Sequence, residues 1–228
     1  MGEMVSYPGA DGNAEGYLAL PEGGGDRPAV LVLHEAWGLL PHIRSVADRF
    51  AEAGFVALAP DLFRGATASE REQGRKRVAE LPADRAAGDL TGAAGFLAGR
   101  PAVTGWVAAV GFSTGGSLAL WSVTLTDRIV AAAAFYPSLR WGQLDPDWSG
   151  YAGRDALVHC SEADGTSAAE HIKAVRQGVE AAGGCCRLYD YPDTKHSFFN
   201  DDRPERFDQP AAGRAWARTL EFLRARVG

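Results

Sequence analysis

A serine flanked by glycines has the clearest chemical potential in this sequence. It lies in Gly111-Phe-Ser-Thr-Gly-Gly116, after an apolar run and before the apolar helical segment Ser117–Trp121. A G-x-S-x-G pattern at a strand-to-helix turn exposes the serine hydroxyl, and small residues on either side let strand and helix approach each other. The helix N-terminus points at Ser113 and favours a developing oxyanion. The pattern therefore predicts Ser113 as the nucleophile of an acyl transfer.

A serine hydroxyl is a weak nucleophile that needs a base, and that base needs an orienting acid. Where the nucleophilic serine lies in such a strand-to-helix turn, the acid (Asp or Glu) follows it along the chain and the histidine comes last. Downstream of Ser113 lie His159, His171 and His196. His159 falls in a strand pattern, which is typical of a hydrogen-bonded core residue, and His171 falls on the polar side of a helix. His196 follows the last strand, so we predict it as the base.

The acid must lie in a loop that can reach His196. The loop after the strand Ala156–Cys160 contains Glu162 and Asp164. Asp164 precedes a glycine and lies further into the loop, so it is favoured as the acid. Glu162 stays open as the alternative, its plainer interpretation being a solvated loop charge.

A second carboxylate follows the first buried strand, in Leu33-His-Glu-Ala-Trp-Gly-Leu39. This loop is expected to supply one oxyanion-hole donor, the N–H of Ala36, opposite the N–H of Thr114. Glu35 is then expected beside the nucleophile, where a charge needs a partner. Its alternative role is to hold the loop in place.

The elements that must position these residues alternate along the chain. Continuously apolar runs are typical of strands buried on both faces of a parallel sheet. They are Ala29–His34, Phe55–Ala59, Trp106–Phe112, Ile129–Tyr136, Ala156–Cys160 and Cys185–Tyr191. Between them, apolar residues recur at helical spacing, as in Ile43, Val46, Ala47 and Phe50. The order predicts an α/β fold, a doubly wound, mostly parallel sheet with helices on both faces.

The start of the chain and its overall composition give further expectations. The run Gly16–Pro21 alternates and ends in a glycine-rich turn, which predicts an antiparallel edge strand. With 228 residues, 46% of them hydrophobic, we expect one domain spanning residues 1–228. In such folds ligands bind at the carboxyl ends of the strands.

Net charge, hydropathy and cysteine spacing restrict the binding partners, the location and the cofactors that the sequence predicts. The formal net charge is -6 and the pI about 5.4, which disfavours nucleic acid or an anionic membrane as a partner. The sequence lacks a long apolar run and a leader-like start, so a cytoplasmic location is expected. Cys160, Cys185 and Cys186 have no zinc spacing and are predicted as structural core thiols; no metal or cofactor is expected. The oligomeric state, monomer or dimer, stays open.

These residues resemble the dienelactone hydrolase family along nearly the whole chain. The resemblance rests on Gly16–Pro21, His34–Leu39, Ala59–Phe63, Gly88–Leu90, Gly111–Gly116, Phe135–Pro137 and Tyr191–Phe198. It implies the α/β-hydrolase fold and cofactor-free hydrolysis of lactone or ester bonds. It also implies that Ser113, Asp164 and His196 form a triad, that Glu35 is the family's additional glutamate, and that Ala36 and Thr114 are the oxyanion donors.

The sequence departs from this pattern at two positions. The best-known members have cysteine where this chain has Ser113, and their second arginine, four residues after the histidine, is Asn200 here. Arg71 matches the arginine that binds a substrate carboxylate in dienelactone-specific members. Arg71 has a plainer interpretation, because Ser69 to Glu72 fits a capping box and Arg71 with Arg75, Lys76 and Arg77 fits a solvated helix face.

Aromatic residues in or near the loops at the strand ends are candidates for an apolar substrate pocket, or for ordinary core. They are Trp37, Phe63, Tyr136, Trp141 and Phe199.

The leading hypothesis is hydrolysis of a small-molecule ester or lactone through an acyl-enzyme. The alternatives are acyl transfer, another reaction of the fold such as cleavage of a peptide or carbon–carbon bond, and a non-catalytic small-molecule binder.

Overall fold

The computed structural model describes residues 2–138 and 144–228, without the side chains of 165–168, and contains a sheet of eight strands. The strands are β1 (Glu3–Gly9), β2 (Gly12–Ala19), β3 (Arg27–Leu33), β4 (Val56–Pro60), β5 (Val103–Phe112), β6 (Ile129–Phe135), β7 (Asp155–Ser161) and β8 (Cys186–Tyr191). Their order is β1-β2-β4-β3-β5-β6-β7-β8. The pairs from β4 to β8 are parallel, whereas β1 and β2 are antiparallel.

The described residues form six α-helices, most of which pack on the two faces of the sheet. They are α1 (Pro41–Glu52), α2 (Arg71–Ala79), α3 (Ala83–Ala98), α4 (Thr114–Ser122), α5 (Gly165–Ala181) and α6 (Gln209–Val227). In β3, Leu31 belongs to the apolar cluster that contains residues of α3, α4 and α5, and its neighbour Val32 belongs to the cluster that contains residues of α1 and α6. Because successive strand residues point to opposite faces, the continuous apolar runs match a sheet buried on both sides. This is the α/β-hydrolase fold.

The prediction for the start of the chain needs a correction. Of the segment predicted as an edge strand, Gly16–Pro21, residues 16–19 form the end of β2, which is antiparallel but pairs on both sides. The edge is β1, from Glu3 to Gly9, which contains a proline and alternates only weakly between buried and exposed residues. A strand paired on one side alone needs less apolar sequence than an internal strand, so β1 carries little signal.

Topology brings the predicted chemical residues to one edge of the sheet. The loops containing Glu35, Ser113, Asp164 and His196 follow the ends of β3, β5, β7 and β8. These strands are parallel, so their carboxyl ends lie at the same edge.

Candidate active site

Ser113 occupies a strained turn between β5 and α4. Its φ of 53° and ψ of −116° are rarely adopted by residues with a side chain. A Cβ added to Gly111 would overlap the carbonyl oxygen of Gly115, and one added to Gly115 would overlap that of Leu33. Ser113 N–H donates to the carbonyl oxygen of Phe135 at 2.9 Å. Both glycines are therefore required by backbone contact, as the sequence pattern predicts.

Ser113, His196 and Asp164 form one continuous hydrogen-bonded path. Nδ1 of His196 lies 2.5 Å from Oδ1 of Asp164, and its Nε2 lies 2.9 Å from Oγ of Ser113. Since a carboxylate can only accept, Nδ1 carries the proton and Nε2 is left as the acceptor for the Ser113 hydroxyl. The other Asp164 oxygen accepts from the hydroxyl of Ser161 at the end of β7. The carboxylate is thus fixed by two donors.

Glu162, the alternative acid, makes a different contact. Its Oε2 accepts from the N–H of Asp193 at 2.5 Å, in the loop between β8 and His196. The Ala163 N–H donates to the Thr194 carbonyl of the same loop, at 3.3 Å. Glu162 therefore ties the loop after β7 to the His196 loop, while Asp164 reaches the imidazole itself.

The two other downstream histidines lie in different surroundings. His159 is fully buried in β7, with Nδ1 2.9 Å from the Tyr191 hydroxyl and Nε2 2.9 Å from that of Thr219. Burial, with Arg218 nearby, lowers the pKa of His159 to about 3, so this imidazole is neutral. His171, on α5, lies along the wall of the cavity above Ser113.

Glu35 is buried and doubly hydrogen-bonded. Its carboxylate accepts from Ser197 Oγ and from Asn200 Nδ2, each at 2.9 Å. It lines a second cavity, of about 320 Å³, and not the cavity over Ser113. The carboxylate thus has the partners that its burial requires, and both belong to the segment that contains His196. Asn200, the position of the missing arginine, is one of those donors.

The loop from residue 34 to residue 38 is held by a buried histidine, His34, for which the sequence pattern predicted no role. Leu62 N–H donates to Nε2 of His34 at 3.2 Å, so Nδ1 carries the proton and donates to the Glu35 carbonyl at 2.7 Å. Burial lowers the pKa of His34, which keeps the ring neutral. Ala36, in this loop, and Thr114, at the start of α4, both line the cavity that contains Ser113. N–H groups in the first turn of a helix have no partner within that helix.

A cavity of about 790 Å³ opens over Ser113 and His196. Positive side chains line it: Arg71, Arg75, Lys195, Arg203 and Arg206. Among the described residues of this wall, Asp164 supplies the sole carboxylate, and it is engaged by His196 and Ser161. The cavity is therefore electropositive in a chain whose net charge is -6.

Arg71 lies at the start of α2, one turn before Arg75. Residues four apart share a helix face, and here that face, which also includes Val78, borders the cavity. Gly74 packs closely on the loop at residue 36, since an added Cβ would lie 3.1 Å from the Ala36 carbonyl oxygen. Lys76 instead lies 3.8 Å from Glu80 on the exposed side. Arg71 and Arg75 therefore line the cavity, whereas Lys76 lies on a solvated face of the same helix.

The predicted capping box of α2 is not formed. The N-cap is Glu70, without a side-chain cap, and Ser69 instead donates its N–H to the Gln73 side chain at 3.2 Å. The helix thus begins one residue later than a Ser69 cap requires.

The predicted aromatic pocket is largely core. Trp37 lines the cavity, with the Arg203 guanidinium 3.8 Å from its ring centre. Phe63 and Phe199 are buried, packing against His34 and Phe112 respectively. Tyr136 is buried 5.0 Å from the His196 ring, and burial raises its pKa well above the usual value. Phe63, Tyr136 and Phe199 therefore fit the alternative interpretation, ordinary core, and none of the three is among the residues that line the cavity. Trp141 lies outside the described residues.

Three further findings concern the cysteines, metal-binding groups and membrane-spanning helices. Cys160 and Cys186 are buried, but Cys185 is exposed, which corrects its assignment to the core. Within residues 2–138 and 144–228, no three or more His, Cys, Asp or Glu side chains group in a way that could hold a metal ion. No helix in those ranges has the length and apolar character needed to cross a membrane.

Comparisons with known proteins identify the family and support the fold. The family model described as "Dienelactone hydrolase family" matches residues 14–227. The protein usf of Aquifex pyrophilus is 29% identical, over 98% of both chains. A dienelactone hydrolase-like promiscuous phosphotriesterase from metagenomic libraries is 25% identical with a TM-score of 0.79, covering 100% of this chain and 99% of its own.

A lower-identity structure shares the fold. The dienelactone hydrolase of Anabaena variabilis has a TM-score of 0.70 at 21% identity, covering 100% of this chain and 99% of its own. The family match extends over nearly the whole α/β-hydrolase sheet and leads to one identification: this chain belongs to the dienelactone hydrolase family of hydrolases.

Proposed function

We propose that this protein hydrolyses a small ester or lactone through an acyl-enzyme on Ser113, with His196 as base and Asp164 as the orienting acid. The observation that carries the proposal is the hydrogen-bonded path from Ser113 Oγ through His196 to Asp164, at the bottom of an open cavity. Such a path lets a neutral imidazole take the serine proton while the carboxylate stabilises the imidazolium that forms.

In the first step Ser113 Oγ attacks the carbonyl carbon as its proton passes to His196 Nε2. The carbonyl oxygen becomes an oxyanion, which the N–H groups of Thr114 and Ala36 bind, each worth about 3 kcal/mol. His196 then protonates the leaving alkoxide. In the second step His196 takes a proton from water, the hydroxide attacks the acyl carbon, and Ser113 leaves and recovers its proton. Product is a carboxylic acid, and no cofactor takes part.

The charge of the cavity indicates the substrate class. Arg71 and Arg75 line it from α2, and Lys195, Arg203 and Arg206 line it from the segment after β8. Asn200 binds Glu35 where a second arginine stands in dienelactone-specific relatives, but the nearby Arg203 and Arg206 still supply positive charge. We therefore propose that the ester or lactone carries an anionic group.

A fluorophosphonate probe tests the nucleophile. Intact-mass and peptide mapping of the treated protein should find one adduct, on Ser113, that is absent in Ser113→Ala. An unlabelled, folded wild-type protein would favour the non-catalytic binder. Adding an alcohol or amine acceptor to the ester assay then separates hydrolysis from acyl transfer, because a transferase would divert most of the product to the acceptor.

The triad is tested by combining substitutions. Ser113→Ala and His196→Ala should each abolish nearly all turnover, and the double variant should be scarcely slower than either, since the residues act as a unit. Additive losses would show that the two side chains act in separate steps.

A further inference from the structure

We propose that Ser138 is a further catalytic residue, whose hydroxyl donates a hydrogen bond to Ser113 Oγ and stabilises the charge that develops on that oxygen. The inference rests on the proposed function, since it takes Ser113 as the nucleophile. Ser138 lies three residues after β6, and it lines the catalytic cavity.

Two contacts fix Ser138 against the nucleophile. Its Oγ lies 3.0 Å from the Oγ of Ser113. Its N–H also donates to the Ser113 carbonyl oxygen at 3.3 Å. Ser138 is exposed at the cavity, but its backbone and its side chain both contact Ser113, and these two contacts hold its hydroxyl at the nucleophile.

The direction of the hydroxyl bond follows from the rest of the path. Ser113 has one hydroxyl proton, and His196 Nε2 accepts it, because Nδ1 donates to Asp164. The Ser113 oxygen is left with lone pairs facing Ser138. Ser138 must therefore be the donor in the contact between the two hydroxyls.

The backbone before Ser138 is strained. Tyr136 has a φ of 40°, which is unusual for a bulky residue, and its N–H donates to the His159 carbonyl at 2.7 Å. Pro137 follows directly. Strain of this kind persists where the surrounding structure enforces it, and it concentrates at functional sites. Here the turn places the Ser138 hydroxyl at the nucleophile.

The charge on Ser113 Oγ changes twice in each turnover. When Oγ attacks, its O–H bond breaks towards His196 as its bond to the acyl carbon forms, and partial negative charge appears on Oγ. In deacylation that carbon–oxygen bond breaks, and charge returns to Oγ until His196 gives back the proton. A hydrogen bond to a charged oxygen is stronger than one to a neutral hydroxyl or ester, so Ser138 favours both transition states over the ground states. Ser138 keeps its own proton throughout.

The test compares the rate constant for fluorophosphonate labelling of Ser113 with steady-state ester hydrolysis. Ser138→Ala should lower the labelling rate constant and kcat about 10- to 100-fold with KM nearly unchanged, because the lost contact is with Oγ. Ser138→Thr, which keeps a hydroxyl, should recover most of the rate. The control is Ser122→Ala on α4, which removes a buried hydroxyl bonded to the Ala119 carbonyl and should leave labelling unchanged.

The outcomes separate the two proposals. Labelling of wild type at Ser113 tests the nucleophile independently of Ser138. If Ser138→Ala, folded by circular dichroism and thermal unfolding, is labelled at the wild-type rate, Ser138 is not catalytic. Equal losses in the alanine and threonine variants would likewise overturn the role of the hydroxyl.

Discussion

The Glu35 carboxylate accepts a hydrogen bond of 2.9 Å from the hydroxyl of Ser197, the residue directly after His196. A second bond of 2.9 Å, from Asn200, engages its other oxygen. Glu35 follows β3 in the loop of the expected oxyanion donor Ala36, while Ser197 and Asn200 follow β8. One buried carboxylate therefore joins the loop of the base to the loop of the oxyanion hole, which makes it a positioning residue in the proposed reaction.

Removing this carboxylate should affect both stability and turnover. Glu35→Ala leaves two buried donors unpaired and is expected to destabilise the fold by about 3 kcal/mol, while lowering kcat through misplacement of His196. Glu35→Gln keeps one acceptor and should lie between. Urea unfolding and ester kinetics measure the two effects, with exposed Glu52→Ala as control. An unchanged unfolding free energy in Glu35→Ala would contradict this role.

The two candidate acids are distinguished by their contacts. Asp164→Asn should lower kcat by roughly 10⁴-fold, because an amide cannot hold the His196 tautomer or stabilise its imidazolium. Glu162→Gln should have little effect on kcat, since Glu162 contacts the Asp193 N–H and not the imidazole. Both are compared at saturating substrate, and the reverse ranking would transfer the role to Glu162.

We expect one face of α2 to bind the negative charge of an acidic substrate. Arg71→Ala and Arg75→Ala should each lower kcat/KM for an acidic ester about tenfold while sparing a matched neutral ester. The control is Arg77→Ala on the same helix, which lies outside the cavity wall. Added salt should also reduce the advantage of the acidic ester. Equal losses on both esters would show that these arginines do not bind substrate charge.

Alanine substitutions at Gly115 and at Gly213 should have opposite effects on the stability of the fold. Gly115→Ala places a Cβ on the Leu33 carbonyl and 2.5 Å from that of His34, so it should destabilise the fold by about 3 kcal/mol or more. Gly213→Ala is the matched change, because Gly213 lies in α6 with no atom within 4 Å of the added Cβ. It should stabilise the helix by about 0.5–1 kcal/mol. Thermal unfolding of both variants would reveal any tolerance at position 115.

Because His159 is buried as a neutral imidazole, we expect the free energy of unfolding to depend on pH. Its pKa is lowered from 6.5 to about 3, so the unfolded chain takes up a proton that the folded chain rejects. The contribution of neutral His159 is complete above pH 6.5, and it falls by about 1.4 kcal/mol per pH unit as the pH drops towards 3. His159→Gln should make the pH dependence of the unfolding free energy shallower over that window. An identical slope in wild type and variant would show that His159 titrates normally.

Short sequence patterns predicted much of the fold and part of the candidate site. The glycines around Ser113 identify the elbow, because only backbone without a side chain allows strand and helix to touch there. Apolar runs identify the internal strands, since burial on both faces requires them, and strand order along the chain places Ser113, Asp164 and His196 at one sheet edge. The weak pattern of β1 gave no such signal, because an edge strand needs little burial.

What only the tertiary structure decided is how distant loops meet. The spacing around Glu35 and Asn200 does not show that they bind each other, since the two are brought together by strand order and not by any local period. The same holds for the arginines of α2 and of the segment after β8, which line one cavity although some 130 positions of sequence separate Arg71 from Arg203. Ser138 had no motif at all. Its place at the nucleophile depends on a strained turn at Tyr136, which long-range packing enforces and short-range sequence preference opposes.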